Sequence, residues 1–194
     1  MAAKAGKRLE ALNKRVEAAL GVNPELRGSI PVFGEGRADC RLMVIGEAPG
    51  RDETRLGRPF VGRAGTFFVS ALEDATGCGR DDVYITNAVK VWPHLRTKRL
   101  KTRPPTDDER AFFLPFLEEE IEAVAPEVII AVGKTAYRSL FPVGEFAPGR
   151  WASYRGIKVM PVYHPAYILR RQRRMEQGIE ELKEALLEVK KALS

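Results

Sequence analysis

The sequence predicts an α/β protein whose mostly parallel sheet carries helices on both faces. Two observations predict this class. Four short apolar runs of strand type, at residues 42–45, 83–86, 128–132 and 159–162, alternate with segments of helical pattern. Such alternation implies parallel strands joined by crossover helices. The runs are also nearly continuous in apolar residues, as expected of strands buried on both faces.

In chain order, Leu9, Leu12, Val16, Ala19 and Leu20 recur at helical spacing and predict an amphipathic helix over about residues 4–20. Residues 21–40 are rich in Gly and Pro and read as a long loop. After the first strand, residues 51–62 read as a loop holding Gly57-Arg58-Pro59-Phe60-Val61-Gly62. Residues 64–75 read as a helix that ends near Gly77. The second strand delivers Asn87, and a basic loop runs from Val91 to Pro105. Thr106 and Glu109 make a capping box, and Phe112, Phe113, Phe116, Leu117, Ile121 and Val124 give the following helix an apolar face. The third strand leads to a short helix over residues 133–141, and the fourth to the His164 segment. Ile179, Leu182, Leu186, Val189 and Leu193 mark a final helix over about residues 174–193. No composition shift divides the chain, so residues 1–194 are expected to form a single domain.

Hydrophobic content of 44% and charged content of 30% suit a soluble globular protein. There is no run of about 18 apolar residues, so no membrane partner is expected. The N-terminus lacks the apolar stretch of a signal peptide. Cys40 and Cys78 are isolated, form no ligand cluster and fit a reducing cytoplasm. The net charge of +6 points to a polyanionic partner. One basic cluster is Arg96, Lys98, Arg99, Lys101 and Arg103, and another is Arg170, Arg171, Arg173 and Arg174. Either could be plain solvated surface. Both flank candidate site segments, which favours phosphate contact.

Two of those segments follow strands, Gly46-Glu47-Ala48-Pro49-Gly50 and His164-Pro165-Ala166-Tyr167. Open α/β sheets bind ligands outside the C-terminal ends of their strands. Each residue also has a bland reading. Pro49 and Gly50 are ordinary turn residues, and a lone histidine is more often structural. Asn87 could cap a turn, and Phe60 could plug the core. Together, however, Glu47, Phe60, Asn87 and His164 supply a carboxylate, an aromatic face, an amide and an imidazole near strand ends. That set suits one extruded nucleobase. Gly133-Lys134-Thr135 is not a phosphate-binding P-loop, because position 128 is Val where that motif needs Gly.

From about residue 30 to 172 the chain resembles the uracil-DNA glycosylase superfamily, and within it family 4. The matching segments, in order, begin with Gly46-Glu47-Ala48-Pro49-Gly50-Arg51-Asp52-Glu53 and Gly57-Arg58-Pro59-Phe60-Val61-Gly62-Arg63-Ala64-Gly65. Val83-Tyr84-Ile85-Thr86-Asn87-Ala88-Val89-Lys90 and Tyr163-His164-Pro165-Ala166-Tyr167-Ile168-Leu169 follow. The resemblance implies a three-layer α/β/α sandwich around a four-stranded parallel sheet. It implies flipping of uracil from DNA and hydrolysis of its N-glycosidic bond, a step of base excision repair. By resemblance, Gly46, Glu47, Phe60, Asn87 and His164 form the uracil pocket. Phe60 stacks on the base, Asn87 bonds its edge, Glu47 positions water or screens the base, and His164 donates to uracil O2. Tyr167, Ile168 and Leu169 are wedge candidates. Arg63, Lys98, Arg99, Lys101, Arg170 and Arg171 are the expected DNA contacts. The expected partner is DNA holding uracil or another deaminated base, bound by a monomer.

Three departures from that family stand out. Family 4 members usually hold an iron–sulfur cluster with four cysteines. Here Val91 and Phe113 stand at two of those positions and the N-terminal pair is absent, so no cofactor and no metal are expected. Ala48 stands where better-known superfamily members carry a water-activating Asp. Glu47 becomes the candidate by default, while Asp52 and Glu53 read as solvent-facing charges. The loop over residues 92–105 is long and basic but has no histidine in Lys98-Arg99-Leu100-Lys101, so covalent capture through it is not expected. Two alternatives stay open. One is excision of hypoxanthine or xanthine, and the other is a uracil-DNA-binding module with little turnover.

Overall fold

The computed structural model describes residues 2–95, 100–170 and 174–194. Helix α1 (Ala2–Val22) leads to strand β1 (Glu35–Gly36) and strand β2 (Leu42–Gly46). Helices α2 (Arg51–Leu56) and α3 (Arg63–Thr76) precede β3 (Tyr84–Asn87). A small hairpin, β4 (His94–Leu95) with β5 (Lys101–Thr102), comes before α4 (Asp107–Val124). Then follow β6 (Val128–Val132), α5 (Lys134–Leu140), β7 (Ala152–Tyr154), β8 (Ile157–Val162), α6 (Pro165–Arg170) and α7 (Met175–Leu193).

Among the described residues, the main sheet has six strands in the order β1-β3-β2-β6-β8-β7. Its four central strands are parallel, and these are the four apolar runs of the sequence. Two antiparallel edges extend them. Strand β1 lies inside the stretch read as a loop, because two residues among Gly and Pro carry no periodic signal. Strand β7 turns into β8 through Arg155 (φ 49°) and Gly156 (φ 84°). Two positive φ angles in a two-residue loop are what a tight hairpin turn requires.

Side chains alternate between the two faces of the sheet, and each face receives its own helices. Phe68 and Leu72 of α3 join Leu182, Leu186 and Val189 of α7 against Val44, Ile85, Ile130 and Met160. On the other face, Leu117 and Ile121 of α4 and Tyr137 and Leu140 of α5 meet Met43, Ile45, Ile129 and Val159. The result is a three-layer α/β/α sandwich. Helix α1 packs its Leu9, Leu12, Val16 and Leu20 stripe inward, and α4 is its main neighbour.

Helix α2 corrects the reading of residues 51–62 as loop throughout. It has no buried residue and so shows no apolar periodicity. Gly50 caps its start and Gly57, at φ 67°, ends it. The capping box on α4 forms as expected, with Thr106 Oγ1 accepting from Glu109 N. Within the basic loop, Trp92 Nε1 donates to Thr102 Oγ1 at 3.0 Å and fastens the base of the hairpin.

Candidate active site

Because β3, β2, β6 and β8 are parallel, their C-terminal ends share one edge of the sheet. Register makes Gly46 and Asn87 direct partners across β2 and β3. Two further bonds extend the pairing past the strand ends, from Ala88 N to Gly46 O and from Val89 N to Glu47 O. A cleft of about 800 Å³ opens at this edge. Glu47, Phe60, Asn87 and His164 all line it. The chain reverses direction across the sheet between β2 and β6, which is where such sheets form ligand crevices.

Gly46 sits at the meeting point. A Cβ there would lie 2.3 Å from Asn87 Oδ1 and 2.7 Å from the Phe60 ring. A side chain here would force one of them to move, and the ring and the amide converge on bare backbone. Asn87 is 3% exposed and Phe60 7%. Phe60 packs against Phe68 with ring centroids 5.6 Å apart, yet its ring still borders the cleft. The ring belongs at once to the core and to the wall of the cleft.

His164 closes the site from the end of β8. Pro165 has no N–H, so the first amide of the turn belongs to Ala166, and it donates to His164 Nδ1 at 3.1 Å. With Nδ1 accepting, the proton of the neutral ring belongs on Nε2, which leaves Nε2–H as the donor. Burial pushes this imidazole below its ordinary pKa, the Glu47 carboxylate pulls it upward, and Arg170 adds to the lowering. The outcome is a ring held neutral.

Asn87 is held from beneath. Lys90 Nζ donates to the Asn87 carbonyl and to Thr86 Oγ1, each at 2.7 Å, and pairs with Glu120. Lys90 and Glu120 are both fully buried. Glu120 also accepts from the Tyr84 hydroxyl at 2.9 Å and from Thr86. All three ammonium protons thus have partners, which is the condition for burying such a charge.

The outlying expectations fare differently. Arg63 and Arg170 are exposed and line the cleft. Lys101 is exposed on β5 but outside the lining. Lys98, Arg99 and Arg171 lie outside the described residues. Tyr167 is 38% exposed and stacks on Tyr163, while Leu169 is half-buried. Ile168 corrects the wedge assignment, since at 2% exposure it packs into the core. On a helix, neighbouring residues point about 100° apart, so a core-facing Ile168 turns Tyr167 outward.

The cleft has further lining residues beyond the expected ones. Lys134 brings a cation and Thr135 a hydroxyl, and Arg103 of the basic cluster brings a guanidinium paired with Glu109. Lys134 and Thr135 follow a strand end, and the strand-end rule alone could have found them. Glu53, expected to face solvent, instead accepts from Gly50 N, Val61 N and Gly62 N. Its spacing inside a loop-like segment gave no sign of this.

A four-cysteine iron–sulfur cluster does not fit these residues. Such a cluster takes thiolate ligands, and the chain has two cysteines in all. Val91 and Phe113 are buried together with Val16, Leu20, Leu26 and Val89 in one apolar cluster. Among the described residues, no group of three His, Cys, Asp or Glu is placed to hold a metal ion. Nor is any described helix long and apolar enough to cross a membrane.

The sequence model of the uracil DNA glycosylase superfamily matches residues 33–190. A type-4 uracil-DNA glycosylase of Thermotoga maritima is 38% identical over 170 residues, covering 84% of this chain and 83% of that protein. The type-4 enzyme of Saccharolobus solfataricus is 35% identical over 170 residues, covering 80% of this chain and 76% of its own. A type-5 uracil-DNA glycosylase of Pyrobaculum aerophilum is 32% identical over 155 residues, covering 70% and 66%. Matched along most of its length, and with its strand ends assembled into one cleft, the chain belongs to the uracil DNA glycosylase superfamily.

Proposed function

We propose that this protein, as a monomer, flips uracil out of DNA and hydrolyses its N-glycosidic bond, leaving an abasic site. The observation that carries the proposal is the convergence of the Phe60 ring and the Asn87 amide on Gly46, with the neutral His164 ring lining the same cleft. Phe60 offers a stacking face. Asn87 offers a donor and an acceptor to the base edge. The sugar carbon–nitrogen bond breaks with its electron pair passing to uracil, which leaves as the anion, and water forms the new bond to the sugar carbon while giving up a proton to solvent. His164 Nε2–H stabilises the charge that develops on uracil O2. A donor aimed at developing charge favours the transition state over the ground state, by about 2.7–4 kcal/mol in comparable sites. Glu47 positions the water or steadies the positive sugar, since Ala48 brings no acid.

Arg63, Lys134 and Arg170 rim the cleft and would grip phosphates. Tyr167 and Leu169 are the remaining wedge candidates. Flipping costs a few kcal/mol, which such contacts offset.

The test is base release from oligonucleotides carrying uracil, hypoxanthine or xanthine, in single and double strands, read as alkali-sensitive breaks. Uracil release by the native chain, reduced about 100-fold or more in Asn87→Ala and in His164→Ala, is the expected result. Release of another base alone would move the assignment to that base. Tight uracil-DNA binding without release would make the chain a binding module.

A further inference from the structure

We propose that Glu53 and Arg80 are positioning residues that lock the Phe60 ring into its stacking place before any base arrives. The inference rests on the function proposed above and assigns two residues to it.

Phe60 has φ 55°, in the left-handed region that an aromatic side chain rarely occupies. The peptide groups on both sides of it are held. The carbonyls of Pro59 and Phe60 accept from the two arms of the Arg80 guanidinium, at 2.9 and 2.7 Å. The amides of Val61 and Gly62 donate to one oxygen of Glu53, at 3.1 and 2.6 Å. The other Glu53 oxygen accepts from Gly50 N at 3.0 Å. Glu53 thereby joins the Phe60 turn to the loop that carries Glu47.

Arg80 is itself fixed. It pairs with Glu35 on β1, and Glu35 also takes two bonds from Arg58, at 2.8 and 3.1 Å. Burial would raise the Glu35 carboxyl, but the bonds from Arg58 and Arg80 outweigh it and hold the pKa below the ordinary value. The pair therefore stays charged. Beneath the turn, a Cβ on Gly65 would lie 2.4 Å from Phe60 Cα, so the α3 backbone presses directly against it.

Two side chains thus hold four backbone groups on three successive peptide units around one residue, and that residue's ring lines the cleft. A ring left free to relax would have to be ordered again with each base. A ring held in place spends none of the binding energy on its own ordering.

A double-mutant cycle tests this. Arg80→Met and Glu53→Gln should each lower kcat/KM on uracil-containing DNA by about ten- to hundred-fold, the effect of a small displacement at a reacting site. Binding to undamaged duplex should stay at the native level. On a Phe60→Ala background, Arg80→Met should cost no more than about twofold, because residues acting through one another are not additive. Arg80→Lys keeps the charge opposite Glu35 but loses the fork. It should fall between native and Arg80→Met, and it replaces that variant in the cycle if Arg80→Met does not fold. Native kcat/KM in the Arg80 variants, or losses that add fully to Phe60→Ala, would overturn the clamp. A native chain that releases no base overturns the function instead, before any variant is made.

Discussion

The Ala166 backbone N–H donates to His164 Nδ1, and this one bond at 3.1 Å sets the tautomer of the imidazole that lines the cleft. Burial keeps the ring neutral and Glu47 only partly opposes it. A pH dependence follows with a definite sign. The His164 pKa is lowered in the folded protein, so the fold binds fewer protons than the unfolded chain between that lowered value and about 6.5. Stability contributed by the neutral ring is fully present above about 6.5 and is lost as pH falls through the window below it. Single-turnover base release should therefore hold steady from pH 8 down to about 6.5, with the acid limb from this ring below that value. The chain has two histidines, so nitrogen NMR of native protein and His94→Gln separates them. A His164 limb above the ordinary histidine value would contradict the arrangement.

Gly46→Ala is the sharpest test of the pocket floor. Its new methyl would stand 2.3 Å from Asn87 Oδ1 and 2.7 Å from the Phe60 ring, and both are already buried. One of them must move. Base release should fall about 100-fold, as displacements near 1 Å at a reacting site do. Affinity for undamaged DNA, which the proposed function assigns to the rim cations, should be retained. Full activity in Gly46→Ala would mean that the ring and the amide do not act together on a base.

Much of this site was legible in the sequence because it lies at the ends of the strands that were easiest to read. Residues 42–45 and 83–85 are continuous apolar runs, and Gly46 with Glu47 and, past Thr86, Asn87 had nowhere to go but the sheet edge. Glu53 was not legible. Its carboxylate finds Val61 and Gly62 only after the chain has folded back, and α2 shows no apolar face to mark that fold. Ile168 was misplaced for a related reason. A short tract between a strand and a basic cluster says nothing about which way each side chain points until α6 winds it. The edge strands β1 and β7 were hidden by brevity, since two or three residues cannot show a period of two.

The buried pair beneath Asn87 predicts a stability effect larger than most. Lys90→Met leaves the Glu120 carboxylate facing Tyr84 and Thr86 without its cation. Removing one partner of a buried pair typically costs about 3–5 kcal/mol. That is a large part of the roughly 5–15 kcal/mol by which domains are stable. Glu120→Leu alone should cost a similar amount. The double variant should recover much of the loss, because burying two apolar groups avoids the desolvation of two charges. Urea or thermal unfolding of the three variants reads the coupling directly. Equal, additive losses would show that the charges are not paired.

Val91 and Phe113 carry the last prediction. They stand where the family 4 resemblance places thiolates, and both are buried in apolar company with Val16, Leu20, Leu26 and Val89. Phe112 and Phe116 pack against the same cluster, with Phe112 edge-on to Phe113 at 4.9 Å. A metal cluster ties loops together by covalent ligation, whereas these side chains can do so only by filling space and leaving water. Phe113→Ala should therefore destabilise the chain by about 3–5 kcal/mol, the cost of a large cavity. The native protein should contain no stoichiometric iron and show no visible absorbance from iron–sulfur charge transfer. Cluster binding at one equivalent, measured by iron and acid-labile sulfide, would contradict this, and so would a Phe113→Ala variant as stable as the native chain. If both measurements come out as expected, the packing around Phe113 stabilises this end of the fold by apolar burial, and Ala48, which touches the cluster, links that packing to the loop carrying Glu47.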